Sequence, residues 1–396
     1  LEEAYLIYSK TQTALDNLSW TCVSNAIQQS TTQGYYAINA SGNTTLSEGR
    51  YVYHAIINDL QPDTGYYFRI ILPNSTSRIL RARTLPNAGN ATLNHPLEFI
   101  RAGDSQKYEK QIAVVWDAMS RFASVKDLYF ILFTGDFTDD GDIVENWDVF
   151  FTLAEPVLSR MCLVPVLGNH EDNSTNYYTM LPHSGNGRFF SFRGGKCLIA
   201  VVDTSESFSE GSEQYVWLLS ELENAREDYI FLATHRPPVA SWLSSKDRQA
   251  TADLLPIIDR YCVDLVMAGH KHLYERTLPY RNGSVSDTGT VYVISGGAGA
   301  KLDSIEKADF SAYLTNNYNF VHVLVDCGQV TSTGISISLV PFDSITINRV
   351  HGWRENADDK TGGTPVLRVY IYYFAAVLLL VISASTIAYA WSTREH

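Results

Sequence analysis

Five apolar runs in the middle of this 396-residue chain each deliver a polar, cation-competent group at their end, which constrains the fold more than any other feature. They read LEFIRAG, LYFILFTG, CLVPVLG, DYIFLATH and VDLVMAG. What stands at their ends is Asp104 and Gln106 (AGDSQ), Asp136 (TGDFTDDG), Asn169 and His170 (LGNHED), His235 (ATHRP), and His270 with His272 (AGHKH). Runs that are apolar along most of their length, rather than alternating, suit strands buried on both faces. Helical stretches such as YEKQIAVVWDAMSRFA and GSEQYVWLLSELENA separate them, so the pattern predicts a layered α/β domain over 98–345, a sheet with helices packed over it. In such sheets the C-terminal strand edge is where ligands bind.

Carboxylate, carboxamide oxygen and neutral imidazole together suit a hard-to-borderline cation. One ion can be assigned to Asp136, Asn169, His235 and His270. A second can take Asp104, Asp136 and His272, with Gln106 as a fourth ligand through its amide oxygen and Asp136 bridging the two. The five cysteines contain no C-x-x-C, which argues against a thiolate zinc site.

Residues 1–86 have a different texture. Short Tyr-, Ile- and Val-rich runs (AYLIYS, GYYAINA, RYVYHAIIN, GYYFRIIL, SRILRART) are separated by polar breaks, as in an all-β sandwich. Leu60, Pro62, Thr64 and Tyr66 match the L-x-P-x-T-x-Y corner of fibronectin-III-like sandwiches, where the tyrosine hydroxyl ties back to the preceding backbone. Residues 87–97 have the composition of a linker, and 346–368 of a juxtamembrane tether. From Val369 to Trp391 no residue carries a formal charge. As a helix this stretch would be about 34 Å long, enough to cross a hydrocarbon core of roughly 30 Å. Tyr370, Tyr372 and Tyr373 at one end, and Tyr389 and Trp391 at the other, would form interfacial belts.

Seven Asn-x-Ser/Thr sequons begin at Asn17, Asn39, Asn43, Asn74, Asn90, Asn173 and Asn282, and five lie in the first 92 residues. That density fits N-linked glycans on a secretory-route protein, at the cell surface or on a secretory-pathway membrane, with residues 98–345 extracellular or lumenal. A net charge of −13 without a Lys/Arg block argues against a nucleic-acid partner.

The order of the five motifs resembles the calcineurin-like metallophosphoesterase superfamily. With the N-terminal sandwich and GHKHLYERT, it is most similar to the purple acid phosphatase branch. The resemblance implies two divalent or trivalent ions (Fe, Zn or Mn), a phosphorylated small-molecule substrate, and hydrolysis of phosphomonoesters by in-line attack of a metal-bridging hydroxide. It implies catalytic roles for Asp136 and for His170, the latter at the leaving oxygen or transition state, with orientation of a ligand through Asp172 as the alternative.

Three positions depart from that pattern. Asp139 stands where the purple branch has its iron-ligating tyrosine, which predicts no charge-transfer colour. Gln106 stands where the wider superfamily has histidine, and HRPPVASWLSSKDRQ lacks the histidine pair of plant-like members. In that segment Arg236 is a candidate either for phosphate or for a surface salt bridge. The departures favour an alternative, a catalytically degraded glycoprotein that keeps the fold for adhesion or assembly.

Overall fold

The computed structural model describes residues 96–348 apart from 182, 183 and 327. It also describes 5–12, 21–22, 27–31, 36–38, 44–46, 51–55, 57, 60–72 and 75–87 in the N-terminal part, and 380–381. The phosphoesterase-like region holds two sheets where the sequence suggested one. The first runs β6-β5-β4-β14-β15-β16. Its parallel core is β4 (Leu97–Ala102), β5 (Phe130–Phe133) and β6 (Cys162–Pro165). β14 (Asn319–Asp326), β15 (Gln329–Ser336) and β16 (Pro341–Asn348) extend it in antiparallel fashion. The second runs β7-β8-β9-β10-β12-β11-β13. Parallel β8 (Cys197–Val201), β9 (Tyr229–Thr234), β10 (Leu265–Ala268) and β12 (Val291–Ser295) lie at its centre. β7 (Phe190–Gly194), β11 (Tyr274–Thr277) and β13 (Ser311–Thr315) flank them.

Residue parity explains the layering. Phe99, Phe130, Leu132, Ile199, Val201, Phe231, Met267 and Val293 pack into one core between the sheets. Their neighbours Ile100, Ile131 and Phe133 face outward under α1 (Glu109–Ser124) and α2 (Val144–Leu158). On the other sheet Leu198, Ala200, Ile230 and Leu232 face α4 (Glu213–Glu223) and α6 (Leu254–Arg260). Strands apolar on both faces therefore serve a sheet-on-sheet core as well as helix cover, and periodicity alone does not distinguish this from a single sheet. α1 shows the helical counterpart. Ile112, Val115, Trp116, Met119 and Ala123 share its buried stripe, and Trp116 stacks on Phe133 at 5.7 Å between centroids. The fully buried Arg101 of β4 donates to the Ala268 carbonyl at 3.0 Å, tying the sheets together at the end that carries the polar motifs.

In the N-terminal part, β1 (Tyr5–Ser9), β2 (Gly65–Leu72) and β3 (Leu80–Arg83) pair antiparallel around Leu6, Phe68, Ile70 and Leu80. The Tyr66 hydroxyl accepts from the Gln61 backbone N–H at 2.8 Å, the corner bond expected of that motif. Alternation along β3 buries Leu80 and Ala82 and turns Arg81 and Arg83 outward. Arg81 and Arg83 pair with Asp127 at 2.5 Å each, and Arg83 also with Asp63 at 2.6 Å. The Tyr129 hydroxyl donates to Asp63 at 2.6 Å beneath the Arg83 guanidinium. The N-terminal sheet is thus clamped to the phosphoesterase-like region.

Of the expected membrane segment, only Leu380–Val381 lie among the described residues, as a two-residue strand. No helix among the described residues is long and apolar enough to cross a membrane. Asn17, Asn39, Asn43, Asn74, Asn90, most of the linker and nearly all of the tether lie outside the described residues. Asn173 and Asn282 are described, and both are exposed.

Candidate metal centre

The five motifs converge at one edge, where β4, β5 and β6 of one sheet meet β9 and β10 of the other. Asp136, His235 and His270 present ligand atoms within 4.8 Å of one another, and so do Asp104, Asp136 and His272. Asp136 belongs to both groups. The Asn169 Oδ1 lies 3.0 Å from His235 Nε2, which places it with the first. Gln106 lies beside the second, its amide nitrogen 3.1 Å from His272 Nε2 and 3.3 Å from Asp136 Oδ2.

Local backbone makes this convergence possible. Asp104, Asp136 and His270 have φ of 67°, 53° and 66°, in the left-handed region that bends a chain sharply off a strand. Glycines packed against these turns provide room. A Cβ on Gly168 would lie 2.2 Å from the Asp136 nitrogen, and one on Gly269 would lie 2.6 Å from Asp104 Oδ2. Beneath Asp104, the loop after β12 closes the edge, with Ala298 N donating to Gly103 O and Ala300 N to Asp104 O, each at 3.0 Å.

The imidazoles are set for a cation. His235 Nδ1 donates to the Thr134 carbonyl and His272 Nδ1 to the Lys301 carbonyl, both at 2.8 Å, so each turns its Nε2 lone pair inward. His270 is reversed: Nε2 donates to the Asp247 carboxylate at 3.0 Å and Nδ1 faces His235 Nε2 at 3.2 Å. Three lone pairs, two carboxylates and an Asn oxygen fit a pair of hard-to-borderline ions.

Electrostatics agree. Burial disfavours the imidazolium of His235, but Asp136 beside it prevails and pushes its pKa up to about 9, so without a cation a proton stands at Nε2, the position an ion would have to take from it. Burial opposes ionisation of Asp136, yet the same contact holds its carboxyl below the usual range. Burial raises Asp104 to about 6 and lowers His270 to about 4, leaving His270 neutral at pH 7 as a ligand must be.

His170 is partly exposed. Its backbone N–H donates to Asp136 Oδ1 at 3.0 Å, and its Nδ1 is held 2.7 Å from the Asp139 carbonyl. Nε2 faces Asp136 Oδ2 at 3.9 Å. The ring is thus fixed by the Asp139 backbone rather than by Asp172. The Asp139 carboxylate is in neither ligand group and lies 3.5 Å from Lys107. Arg236 is not a surface residue: it is buried and paired with Asp247, with its guanidinium 3.0 Å from His270 Nε2.

Two residues the sequence did not single out support the centre. The carboxylate of buried Glu171 accepts from the N–H groups of Asp136 (3.0 Å), Phe137 (2.9 Å), Thr138 (3.3 Å) and Gly168 (2.9 Å), and so shapes the turn that carries Asp136. Burial and the Asp136 charge push Glu171 up to about 8 against those four donors. Asp247 accepts from His270, Arg236, and Ser244 N and Oγ (3.1 and 2.7 Å), with Lys271 Nζ at 3.4 Å. Burial would raise its pKa, but the hydrogen bonds from His270 and Ser244 hold it far below the carboxylate range. Glu171 had a signal, two residues beyond a ligand in GNHED, whereas Asp247 sits in an unremarkable SSKDRQ.

The family model for calcineurin-like phosphoesterases matches residues 55–274. The uncharacterized protein Rv2577 of Mycobacterium tuberculosis is 27% identical over 66% of this chain and 60% of its own length. The probable inactive purple acid phosphatase 27 of Arabidopsis thaliana is 25% identical over 68% and 53%. The chain therefore spans little more than half of these relatives. Among solved structures, purple acid phosphatase PPD1 from yellow lupin (Lupinus luteus) superposes over 92% of this chain and 73% of its own, with a TM-score of 0.76 at 18% identity. GAP50, the anchor in the inner membrane complex of Plasmodium, covers 66% and 92%, with a TM-score of 0.54 at 18% identity. The chain belongs to the calcineurin-like phosphoesterase family, in its purple acid phosphatase-like branch.

Proposed function

We propose that this protein is a membrane-anchored phosphomonoesterase with a dinuclear metal centre, its phosphoesterase domain extracellular or lumenal and N-glycosylated. The observation that carries the hydrolytic part is the pair of ligand groups sharing Asp136 at one edge of the two sheets. When bound, such ions supply neutralisation of phosphoryl charge and activation of water as a nucleophile. The chain's own residues do the rest. Asp136, Asn169, His235 and His270 would hold one ion, and Asp104, Asp136 and His272 would hold the other, with Gln106 beside them. His170, whose Nδ1 donates to the Asp139 carbonyl, turns Nε2 toward the Asp136 side of the site, and it is as the imidazolium that it would give a proton to the leaving oxygen. The anchor rests on the uncharged stretch Val369–Trp391, the glycoprotein on the seven sequons, and the fibronectin-III-like sandwich on the Tyr66 corner. Asp139 and Gln106 favour a second reading, a glycoprotein scaffold with a weakened site. GAP50, described as a membrane-complex anchor, shares the fold.

Metal content of the purified chain, together with hydrolysis of 4-nitrophenyl phosphate, separates the readings. About two ions per chain with turnover that chelation abolishes is expected of the enzyme, and neither ions nor turnover after reconstitution would leave the scaffold. Partition of the full chain into the aqueous phase on detergent phase separation would sink the anchor.

A further inference from the structure

The two ligand groups differ in what already occupies their lone pairs, and the difference lies at Gln106. The residue is 4% exposed, wedged between Asp136 and His272, two of the three members of the second group. Because His272 donates from Nδ1 to the Lys301 carbonyl, its Nε2 can only accept. The Asp136 carboxylate likewise only accepts. The Gln106 amide N–H groups donate to both, at 3.1 Å and 3.3 Å. The reverse orientation would set the amide oxygen against a carboxylate and an imidazole lone pair, so chemistry dictates which way the amide points. The consequence falls on the other end: Oε1 is buried and accepts no hydrogen bond among the described residues. A buried carbonyl without a partner is costly, so this amide is poised rather than settled.

We infer that Gln106 sets the cation affinity of the Asp104/Asp136/His272 group. Its amide competes for the lone pairs an ion would take, and it yields by turning over about its terminal torsion to offer Oε1 as a ligand. No bond is made or broken in the chain; two hydrogen bonds are exchanged for one ligand contact. Among the described residues, the Asp136/Asn169/His235/His270 group has no glutamine amide wedged between its ligands, and on this inference the two groups fill in sequence. This rests on the reading of the site as a cation site.

The test is calorimetric titration of the chelator-treated full chain with Zn²⁺, alongside the ¹⁵N side-chain amide signal of Gln106. Expected is one tight event and a second weaker by about 10–100-fold, the scale on which a ligand's immediate surroundings tune metal affinity. The Gln106 amide signal should move only with the second equivalent. Gln106→Glu, which removes the competing N–H groups and adds a carboxylate, should tighten the second event by about tenfold or more and leave the first nearly unchanged. Two events of equal affinity, or an amide signal that moves with the first equivalent, would overturn the inference and leave the site reading intact. Absence of any Zn²⁺ binding would overturn both. The amide signal needs only the unaltered chain, so a variant that fails to fold leaves the test standing.

Discussion

The two halves of the metal centre are built to different standards of support. In the half made by Asp136, Asn169, His235 and His270, each imidazole is held from behind. The His235 side chain is 1% exposed and fixed on the Thr134 carbonyl, and His270 is fixed on Asp247, which itself gathers Arg236, Ser244 and Lys271. In the half made by Asp104, Asp136 and His272, the His272 side chain is 22% exposed and leans on a loop carbonyl, and the adjoining carboxamide, Gln106, turns its N–H groups rather than its oxygen to the ligands. Shared ligand types therefore do not imply shared affinity. What separates the two halves is preorganisation, set by groups behind the ligands.

The comparison can be broken most directly at the residue common to both halves. Asp136→Asn should remove both ions together and reduce phosphoester hydrolysis by about a thousandfold or more, since metal activation is worth several kcal/mol. Retention of one ion by mass spectrometry would show that the halves do not share it. His170→Ala should reduce kcat by about 10²–10⁴-fold, the range of a lost proton donor. Metal content should not change, and a loss of ions would recast His170 as a ligand. Asp247→Asn should weaken the His235/His270 half by about 10–100-fold, narrowing its gap from the other half. Equal affinity in mutant and parent would mean that His270 does not need its brace. The smallest effect is remote. Tyr66→Phe removes the corner hydrogen bond and should cost about 1 kcal/mol in thermal or denaturant unfolding, with both ion affinities unchanged. A change in either would show that the N-terminal sheet reaches the centre.

The candidate ligands were readable because each follows an apolar strand directly, so ligand and fold share one stretch of chain. Asp104, Asp136, Asn169, His235, His270 and His272 meet at one edge for that reason. The groups behind them were not readable. Asp247 lies 12 residues beyond His235 on a short helix, α5 (Ser245–Thr251), and the Thr134 and Lys301 acceptors are backbone carbonyls that no residue pattern marks. The doubling of the sheet was hidden because an apolar strand looks the same whether a helix or a second sheet covers it. Arg236 was misplaced for a related reason: its partner Asp247 is met only through the turn before α5.

The backbone at Asp104, Asp136 and His270 has a bearing on lineage as well as on geometry. Left-handed non-glycine residues cost of order 1 kcal/mol each, so a descendant freed from holding cations would gain stability by drifting to glycine at these positions. Drift of that kind is downhill and needs no partner change. A chain that still carries all three side chains on those turns has forgone the easiest stabilising substitutions open to it. Relatives that have given up the chemistry should therefore show their loss first at these three positions, before any change in the strands beneath.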